Sequence, residues 1–243
     1  MDFQKFFGQN VEHYSRSRLH SRGEDLEIMV RIVRPEGTDV LLDAAAGPGF
    51  TALQFSEMVS STVIHDGTPG MLRKAMELVK EKKARNCSFV LSTLPELPLP
   101  DGAFTVVTCR RALHHFHNVH ETLREFRRVL APGGRLCISD MVAPAGWEEQ
   151  FNRLEWMRDS SHHWALSEEE MLMELEEAGF REVEHSIMVN SLDFDQWLSP
   201  LDSESAQGMA CRAYLEKLSG EGFPLARPGG LMKLHGVYLA VRD

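Results

Sequence analysis

The sequence predicts an α/β protein in which a doubly wound, mostly parallel sheet carries helices on both faces and a helical cap. First, short apolar segments typical of strands alternate with amphipathic segments typical of helices over residues 39–142. Second, two of these strand-like segments end in an acid, at Asp43 and Asp66. Third, the segment AAAGPG (44–49) has almost no side-chain bulk, which indicates that a ligand approaches the backbone there.

The composition favours one domain with a sizeable core, because 43% of the 243 residues are hydrophobic and 26% are charged. The formal net charge of −10 disfavours nucleic acid as a partner, since an acidic chain repels phosphates. No apolar run approaches the roughly 20 residues of a membrane span, and the N-terminus lacks the apolar core of a secretory signal. Four scattered cysteines without a CxxC pair fit reduced thiols, so we expect a cytoplasmic protein.

The first part of the chain alternates between the two kinds of element. Strands are predicted over residues 39–43, 61–66, 87–91, 103–109 and 135–142. Helices are predicted over residues 51–59, 69–84 and 118–130. Pro69 begins the second of these helices, where its missing N–H is tolerated. Strands and helices that alternate at this length predict a parallel sheet covered on both faces.

The pattern changes after residue 143. Helices are predicted at 145–160 and within 164–180, where Ser167 and Glu170 have capping-box spacing. Strands are predicted at 182–190 and 231–243, with one or two helices over 193–228. The expected organisation is a single domain, 1–243, with an N-terminal helical segment (1–35) over the cofactor site, a cofactor-binding core (36–142), two cap insertions on the substrate side (143–178 and 193–228) and a final strand (229–243).

The loop after the first predicted strand suits two classes of ligand. GPGFTA (47–52) satisfies the pattern G-x-G-x-x-G/A, so a dinucleotide such as NAD is one alternative. Asp66 is placed to accept hydrogen bonds from the ribose of NAD or of S-adenosylmethionine. Asp43 favours the latter, because its carboxylate can attract a ligand with ammonium and sulfonium charges and no pyrophosphate. A purely structural capping role is the alternative for Asp43.

Four segments together resemble the class I S-adenosylmethionine-dependent methyltransferases, and in particular the branch of ubiquinone and menaquinone biosynthesis. They are DVLLDAAAGPG, VIHDGTPGML, LPLPDGAFTVVTCRRALHHF and LREFRRVLAPGGRLCISD, in the family's order over about residues 39–142. FNRLEWMRDSSHHWALSEEE further resembles a subgroup of small bacterial members. The resemblance implies a seven-stranded Rossmann-like methyltransferase fold and S-adenosyl-L-methionine as the cofactor.

The resemblance also implies roles for residues by position. The methionine end of the cofactor is lined by Asp43, Ala45, Gly47 and Gly49, and Asp66 holds the ribose. The other implied cofactor-binding residues are Gly67, Met71, Ser92, Thr93, Leu94, Cys109 and Arg110. Two positions depart from the family pattern. Thr93 replaces a common Asp, so its bond to the adenine is weaker than a carboxylate would give, and AAA (44–46) replaces a loop that commonly contains Gly or Cys.

Histidines after the fourth predicted strand are the first candidates for chemistry. CRRALHHFHNVH contains His114, His115, His117 and His120. His115 is a predicted general base, because imidazole has an unperturbed pKa near 6.5. Packing against the cofactor and the sheet is the alternative for His114 and His115. No acid has the spacing for a metal site with them, so no metal is predicted.

The segment RDSSHH (158–163) is the second candidate for chemistry. Asp159 is predicted to orient His162, an arrangement that makes imidazole a better base. A capped surface turn is the alternative. The predicted substrate-lining residues are Tyr14, His20, His114 and Trp156, with core or interface packing as the alternative for the tryptophan.

The sequence therefore predicts an enzyme that transfers a methyl group from S-adenosylmethionine to a small-molecule acceptor. The methylated atom can be oxygen, carbon or nitrogen, and a quinone-like or aromatic metabolite is one candidate acceptor. We expect no nucleic acid partner and no membrane span, and either a monomer or a homodimer. The alternatives are an NAD(P)-dependent oxidoreductase that uses GPGFTA and a non-catalytic S-adenosylmethionine-binding protein. The acceptor does not follow from the sequence, because this fold supports many chemistries.

Overall fold

The computed structural model of the protein describes Gly8, residues 11–16 and residues 23–243. Its helices are α1 (Val11–Arg16), α2 (Glu24–Val33), α3 (Phe50–Ser56), α4 (Pro69–Lys82), α5 (Val119–Val129), α6 (Glu148–Arg158), α7 (Glu168–Glu177), α8 (Phe194–Leu198) and α9 (Ala206–Gly220). Its strands are β1 (Val40–Ala44), β2 (Ser61–Asp66), β3 (Cys87–Leu91), β4 (Phe104–Arg110), β5 (Leu130–Val142), β6 (Phe180–Asp193), β7 (Ala226–Arg227) and β8 (Gly230–Arg242). A 3-10 turn over Leu113–His115 follows β4. None of the helices in the described part of the chain is long and apolar enough to cross a membrane.

The strands form one sheet in the order β3-β2-β1-β4-β5-β8-β6. Strands β1 to β5 pair in parallel, whereas β8 runs antiparallel to both β5 and β6. The predicted seven-stranded, mostly parallel sheet is confirmed along this path, and the two-residue strand β7 pairs with β8 beside it. The strand order reverses between β1 and β4. In open α/β sheets, ligands bind beyond the carboxyl ends of the strands at such a switch point.

Helices cover both faces of the sheet because successive side chains of a buried strand point to opposite sides. Leu41 packs on one side in a core that includes Met29 of α2 and Phe55 of α3. Its neighbour Leu42 packs on the other side in a core that includes Phe126 of α5. The double winding predicted from the alternation of elements is therefore confirmed.

The cap has a hydrophobic core of its own. Helices α6, α8 and α9 meet around Phe151, Trp197 and Leu218, separate from the cores on the sheet faces. Helix α7 also lies in a segment predicted as cap, but it packs against β6 and α5. Its buried residues Met171 and Leu175, four positions apart on one helix face, join the core on the α5 side of the sheet.

Two local features compare directly with the sequence. The predicted capping box is confirmed, because Ser167 Oγ accepts from the Glu170 N–H and the Glu170 side chain accepts from the Ser167 N–H. Strand β5 begins at Leu130 rather than at residue 135. Leu130 pairs with Phe104, and an irregularity in the register absorbs the turn-like APGG segment before regular pairing continues.

Candidate active site

A cleft opens beyond the carboxyl ends of β1, β2 and β4, at the switch point of the sheet. With its open mouth included, its volume is about 1000 Å³, at the upper end of the roughly 300–1,000 Å³ typical of small-molecule sites. The residues that line it are Asp43, Ala45, Ala46, Gly47, Pro48, Phe50, Thr51, His65, Asp66, Gly67, Thr68, Met71, Thr93, Leu94, Arg110, Arg111, Ala112, His115 and Phe116.

The loop between β1 and α3 has a left-handed backbone at three positions. The φ angles are 52° at Ala45, 54° at Gly47 and 84° at Gly49. A Cβ on Gly47 would meet no atom within 4 Å, so this residue leaves the backbone open where it lines the cleft. A Cβ on Gly49 would lie 3.2 Å from the Ala75 Cβ. Gly49, predicted to line the cofactor, is instead absent from the cleft wall and lets the loop pack closely on α4.

Asp43 is 1% exposed and lines the cleft. Its Oδ2 accepts a hydrogen bond from the Ala52 N–H in the first turn of α3 at 2.9 Å, and its Oδ1 accepts one from Thr108 Oγ1 at 2.8 Å. Both alternatives raised by the sequence, a cap and a ligand-facing acid, are thus compatible with its position. Burial raises the pKa of Asp43 to about 7. A positive charge in the cleft would favour the ionised carboxylate.

The end of β2 anchors the glycine loop. Asp66 Oδ2 accepts from the Gly47 N–H at 2.8 Å, and Oδ1 accepts from the Thr68 N–H at 2.7 Å. His65 contributes a further anchor, since its Nδ1 accepts from the Ala45 N–H at 3.3 Å. The Thr68 side chain also hydrogen-bonds to this carboxylate. Asp66 therefore braces the loop, and because a carboxylate has about four acceptor sites, it keeps acceptor capacity for a ligand hydroxyl.

His65 is a cleft residue that the sequence reasoning missed. Its Nε2–H donates to the Ser92 carbonyl at 2.8 Å, which leaves Nδ1 as the acceptor for the loop. Burial lowers the pKa of His65 to about 4, so the ring is neutral. Its position directly before Asp66 was the available signal. Ser92, predicted to contact adenine, orients this ring instead and is not part of the cleft wall.

Most of the other predicted cofactor residues line the cleft. Gly67, Met71, Thr93 and Leu94 lie on its wall, on the side of β2 and β3. Cys109 does not, because its side chain is 1% exposed within the core of the sheet, one residue before the strand reaches the cleft.

Arg110 lines the cleft, and its guanidinium is held by a buried acid that was not singled out in the sequence. Asp25 of α2 accepts from Arg110 Nε at 2.7 Å and from Arg110 Nη2 at 2.9 Å. Arg111 Nε donates to the same carboxylate at 3.0 Å, and Ser139 Oγ donates to it at 3.2 Å. Burial opposes ionisation of Asp25, but hydrogen bonding by His235 and the two arginine charges hold its pKa well below the usual range.

His114, predicted to line the substrate, supports the fold beside the cleft. Its Nδ1 lies 2.5 Å from Asp140 Oδ1, and its ring is buried. Its carbonyl accepts from the N–H groups of His163 and Trp164, which ties the turn after β4 to the segment before α7. His114 is not part of the cleft wall, so the packing alternative describes its position.

His115 lines the cleft, and a hydrogen bond to the backbone of Ser161 orients its ring. Its Nδ1 lies 2.9 Å from the carbonyl oxygen of Ser161, and Ser161 Oγ donates to Asp159 Oδ1 at 2.6 Å. A carbonyl only accepts, so Nδ1 carries the proton and Nε2 is the acceptor. Burial and the neighbouring His114 lower the pKa of His115 to about 3. The ring is neutral and a weak base.

The predicted pairing of Asp159 with the ring of His162 is wrong. His162 Nε2 is bonded to Asn152 Oδ1 at 2.7 Å, while the Asp159 carboxylate accepts from the N–H and Oγ of Ser161. A residue two positions along in the turn is within easier reach of Asp159 than the ring of His162, which points into the buried interior toward α6. Burial lowers the pKa of His162 to about 2, and it is not part of the cleft wall.

The remaining predicted substrate residues lie elsewhere. Trp156 is 57% exposed, because Phe151, Leu154 and Glu155 form the buried side of α6 and leave Trp156 on the solvent side. It is not part of the cleft wall. The side chain of Tyr14 and the whole of His20 lie outside the described residues.

One group of metal-ligand side chains lies away from the cleft, on α5 and α7. His120, Glu174 and Glu177 place one ligand atom each within 4.8 Å of one another. His120 Nδ1 already pairs with Glu174 at 3.2 Å, and Glu177 is exposed. We assign no metal to this group.

Comparisons with a family model, with curated proteins and with solved structures all find similarity to methyltransferases. Residues 42–138 match a family described as a methyltransferase domain. Over 206 residues the chain is 32% identical to the uncharacterized methyltransferase YcgJ of Bacillus subtilis (strain 168), covering 82% of this chain and 81% of that protein. A candidate methyltransferase from Bacillus halodurans C-125 has a similar crystal structure, with a TM-score of 0.84 and 27% identity over 91% of this chain and all of that one.

A relative of stated activity covers less of the chain. The demethylmenaquinone methyltransferase of Listeria welshimeri is 33% identical over 122 residues, which are 48% of this chain and 51% of that protein. The shared part corresponds to about half of each protein.

Proposed function

The chain belongs to the class I S-adenosylmethionine-dependent methyltransferases, and we propose that it transfers a methyl group from S-adenosylmethionine to a small-molecule acceptor. The proposal rests on the cleft at the switch point of the sheet, which Asp43, the open backbone at Gly47 and Asp66 all line. We further propose that the enzyme acts in the cytoplasm, as a monomer or a homodimer.

The residues of the cleft fit this cofactor. Burial disfavours the ionised form of the Asp43 carboxyl group. The ammonium or sulfonium charge of a ligand would stabilise that ionised form. Gly47 exposes its backbone without a side chain, which suits close approach of the amino-acid end. Asp66 keeps acceptor capacity for ribose hydroxyls, and Met71 and Leu94 give the nucleoside an apolar wall.

Bound S-adenosylmethionine supplies an electrophilic methyl group on a positively charged sulfur. The contribution of the chain is mainly to hold and orient the two reactants, since in-line displacement requires alignment. His115 can accept a hydrogen bond from an acceptor hydroxyl at Nε2. Its pKa of about 3 makes full proton removal by His115 unfavourable at neutral pH. We therefore propose that His115 orients the acceptor rather than acting as the base that the sequence suggested.

The acceptor we propose is a small, partly apolar or aromatic metabolite. Phe50 and Phe116 both line the cleft, and aromatic rings favour flat apolar ligands. The likeness to a demethylmenaquinone methyltransferase over half of the chain makes a quinone-like ring one candidate.

A turnover screen tests this function. Purified protein is incubated with S-adenosylmethionine and separate phenols, quinones and amines, and the release of S-adenosylhomocysteine is measured. We expect release that depends on an acceptor and that is unchanged in Trp156→Ala, which alters only an exposed side chain away from the cleft. Cofactor binding without release for any acceptor would favour the non-catalytic alternative. Tighter binding of NAD(H) than of S-adenosylmethionine would favour the oxidoreductase.

A further inference from the structure

In the buried cluster at the end of β4, two guanidinium groups share one carboxylate. Asp25 receives hydrogen bonds from both Arg110 and Arg111, and the three side chains are 1%, 5% and 16% exposed respectively. His235, 3.3 Å from Asp25, is neutral because burial lowers its pKa to about 4. Among the described side chains, Arg111 therefore shares its paired carboxylate, Asp25, with Arg110. An uncompensated buried charge is costly, so a guanidinium that shares its counter-charge favours a ligand anion.

A further acid of the cleft, Asp43, has a different proposed partner. Asp43 lines the same cleft and interacts electrostatically with Arg110. In the proposed function, the negative charge of Asp43 pairs with the positive end of the cofactor. Among the described side chains, Arg111 then has no carboxylate besides Asp25, which it shares with Arg110.

Arg111 donates to Asp25 through Nε alone, whereas Arg110 donates to Asp25 through Nε and Nη2. A guanidinium has five N–H donors in a planar fork. Within the described part of the chain, Arg111 uses Nε for Asp25, and its terminal nitrogens have no hydrogen-bond partner. Arg111 is also part of the cleft wall. A fork of this kind suits the two oxygens of a carboxylate.

The backbone at Arg111 explains how two successive arginines reach one acid. Side chains of successive residues in a strand point to opposite faces. Arg111 follows β4 with a φ of 55°, and its N–H donates to the Ser139 carbonyl at 2.7 Å. The left-handed turn lets both side chains meet Asp25. Such strain in a non-glycine residue is concentrated at ligand-binding sites.

From these observations we propose that Arg111, positioned by Asp25, forms an oxyanion subsite of the cleft that binds a carboxylate or another ionised oxygen. This subsite deepens the proposed function and rests on it. The oxyanion has two sources: the carboxylate of the cofactor's methionine part, or an ionised oxygen of the acceptor such as a carboxylate or a phenolate.

Binding measurements with Arg111→Gln test the subsite and distinguish the two sources. Calorimetry would compare S-adenosylhomocysteine with 5′-methylthioadenosine, which lacks the amino-acid part, and would titrate benzoate into protein saturated with S-adenosylhomocysteine. Arg124→Gln is the matched control, because Arg124 is an exposed arginine on α5. Arg111→Lys keeps the charge but not the fork, and thermal melting checks that each variant folds.

A cofactor source predicts that Arg111→Gln weakens S-adenosylhomocysteine about tenfold or more and leaves methylthioadenosine unchanged. An acceptor source predicts unchanged binding of both nucleosides and loss of benzoate binding. In either case Arg111→Lys should be intermediate and Arg124→Gln should match the wild type. Equal weakening of both nucleosides, or no effect on any ligand, would overturn the subsite. Wild-type protein that binds neither nucleoside would instead contradict the proposed function.

Discussion

At the scale of single residues, Asp43 joins fold and ligand binding in one carboxyl group. It caps the first turn of α3 through the Ala52 N–H and is held by Thr108. Both bonds favour the charged form, yet burial outweighs them and leaves the pKa at about 7. Its charge therefore changes within the physiological pH range.

This ionisation predicts that affinity for S-adenosylhomocysteine falls as the pH is lowered. Below pH 7 the Asp43 carboxyl is mostly neutral, and only its charged form attracts the ligand's ammonium. We expect affinity measured by calorimetry to fall about tenfold from pH 8 to pH 6, because each pH unit below the pKa lowers the charged fraction by about tenfold. In Asp43→Asn the affinity should be weaker and its pH dependence should be lost.

Glu57→Gln is the control for this experiment, because Glu57 is an exposed acid at the end of α3, the helix that Asp43 caps. It should keep the wild-type pH dependence. Wild-type affinity that is constant from pH 6 to pH 8 would contradict a role for the charge of Asp43.

Asp66 has a different task, because its oxygens hold the N–H groups of Gly47 and Thr68. Asp66→Ala should weaken S-adenosylhomocysteine by roughly 1.5–3 kcal/mol, the scale of hydrogen bonds to a charged group. It should also lower the melting temperature, since two buried donors lose their acceptor. Asp66→Asn keeps one carbonyl oxygen, so its affinity and melting temperature should lie between those of the wild type and Asp66→Ala. Titration and thermal melting measure both effects, and unchanged affinity would mean that the ribose is held elsewhere.

At the scale of elements, the loop between β1 and α3 depends on a glycine that does not line the cleft. Gly49→Ala places a Cβ at a φ of 84° and 3.2 Å from the Ala75 Cβ. We expect a loss of about 1–2 kcal/mol in the free energy of unfolding, the cost of a left-handed conformation for a residue with a side chain. Denaturant unfolding measures this loss.

Gly37→Ala is the matched control, because a Cβ there meets nothing within 4 Å and its φ is not in the left-handed region. Its stability should be equal to that of the wild type or slightly higher. Equal stability of Gly49→Ala and Gly37→Ala would contradict the role of Gly49 in packing the loop on α4.

Local patterns predicted the elements well where hydrophobic periodicity and capping agree. β2 was predicted over residues 61–66 and is Ser61–Asp66, and the Ser167–Glu170 capping box is present. The start of β5 at Leu130 was missed, because APGG has the composition of a turn although it lies within a paired strand. Pairing with β4, which is distant in sequence, makes this segment a strand. The residues of the segment alone do not indicate that pairing.

The same limit applied to the site. Asp43 and Asp66 were found because both end a strand and flank a loop of small residues. Asp25 was not found, because its partners Arg110 and Arg111 are far along the chain and only the folded sheet brings them together. The His162 ring was assigned to Asp159 by proximity in sequence, whereas Asn152 on α6 is its partner.

At the scale of the whole molecule, strand β8 connects the sheet to the cap. Leu231 belongs to the cap core, whereas Val237 and Tyr238 belong to the two cores on the faces of the sheet. Lys233 of β8 also pairs at 3.0 Å with Glu155, a fully buried acid of α6. The cap is therefore fixed to the same sheet whose other strands build the cleft.

We propose above all that this cleft binds S-adenosylmethionine. Equilibrium dialysis of purified protein with radiolabelled S-adenosylmethionine tests it, with unlabelled S-adenosylhomocysteine and NAD as competitors. We predict saturable binding of one molecule per chain that S-adenosylhomocysteine displaces and NAD does not. No retained label at millimolar ligand, or displacement by NAD alone, would show that the cleft does not bind S-adenosylmethionine.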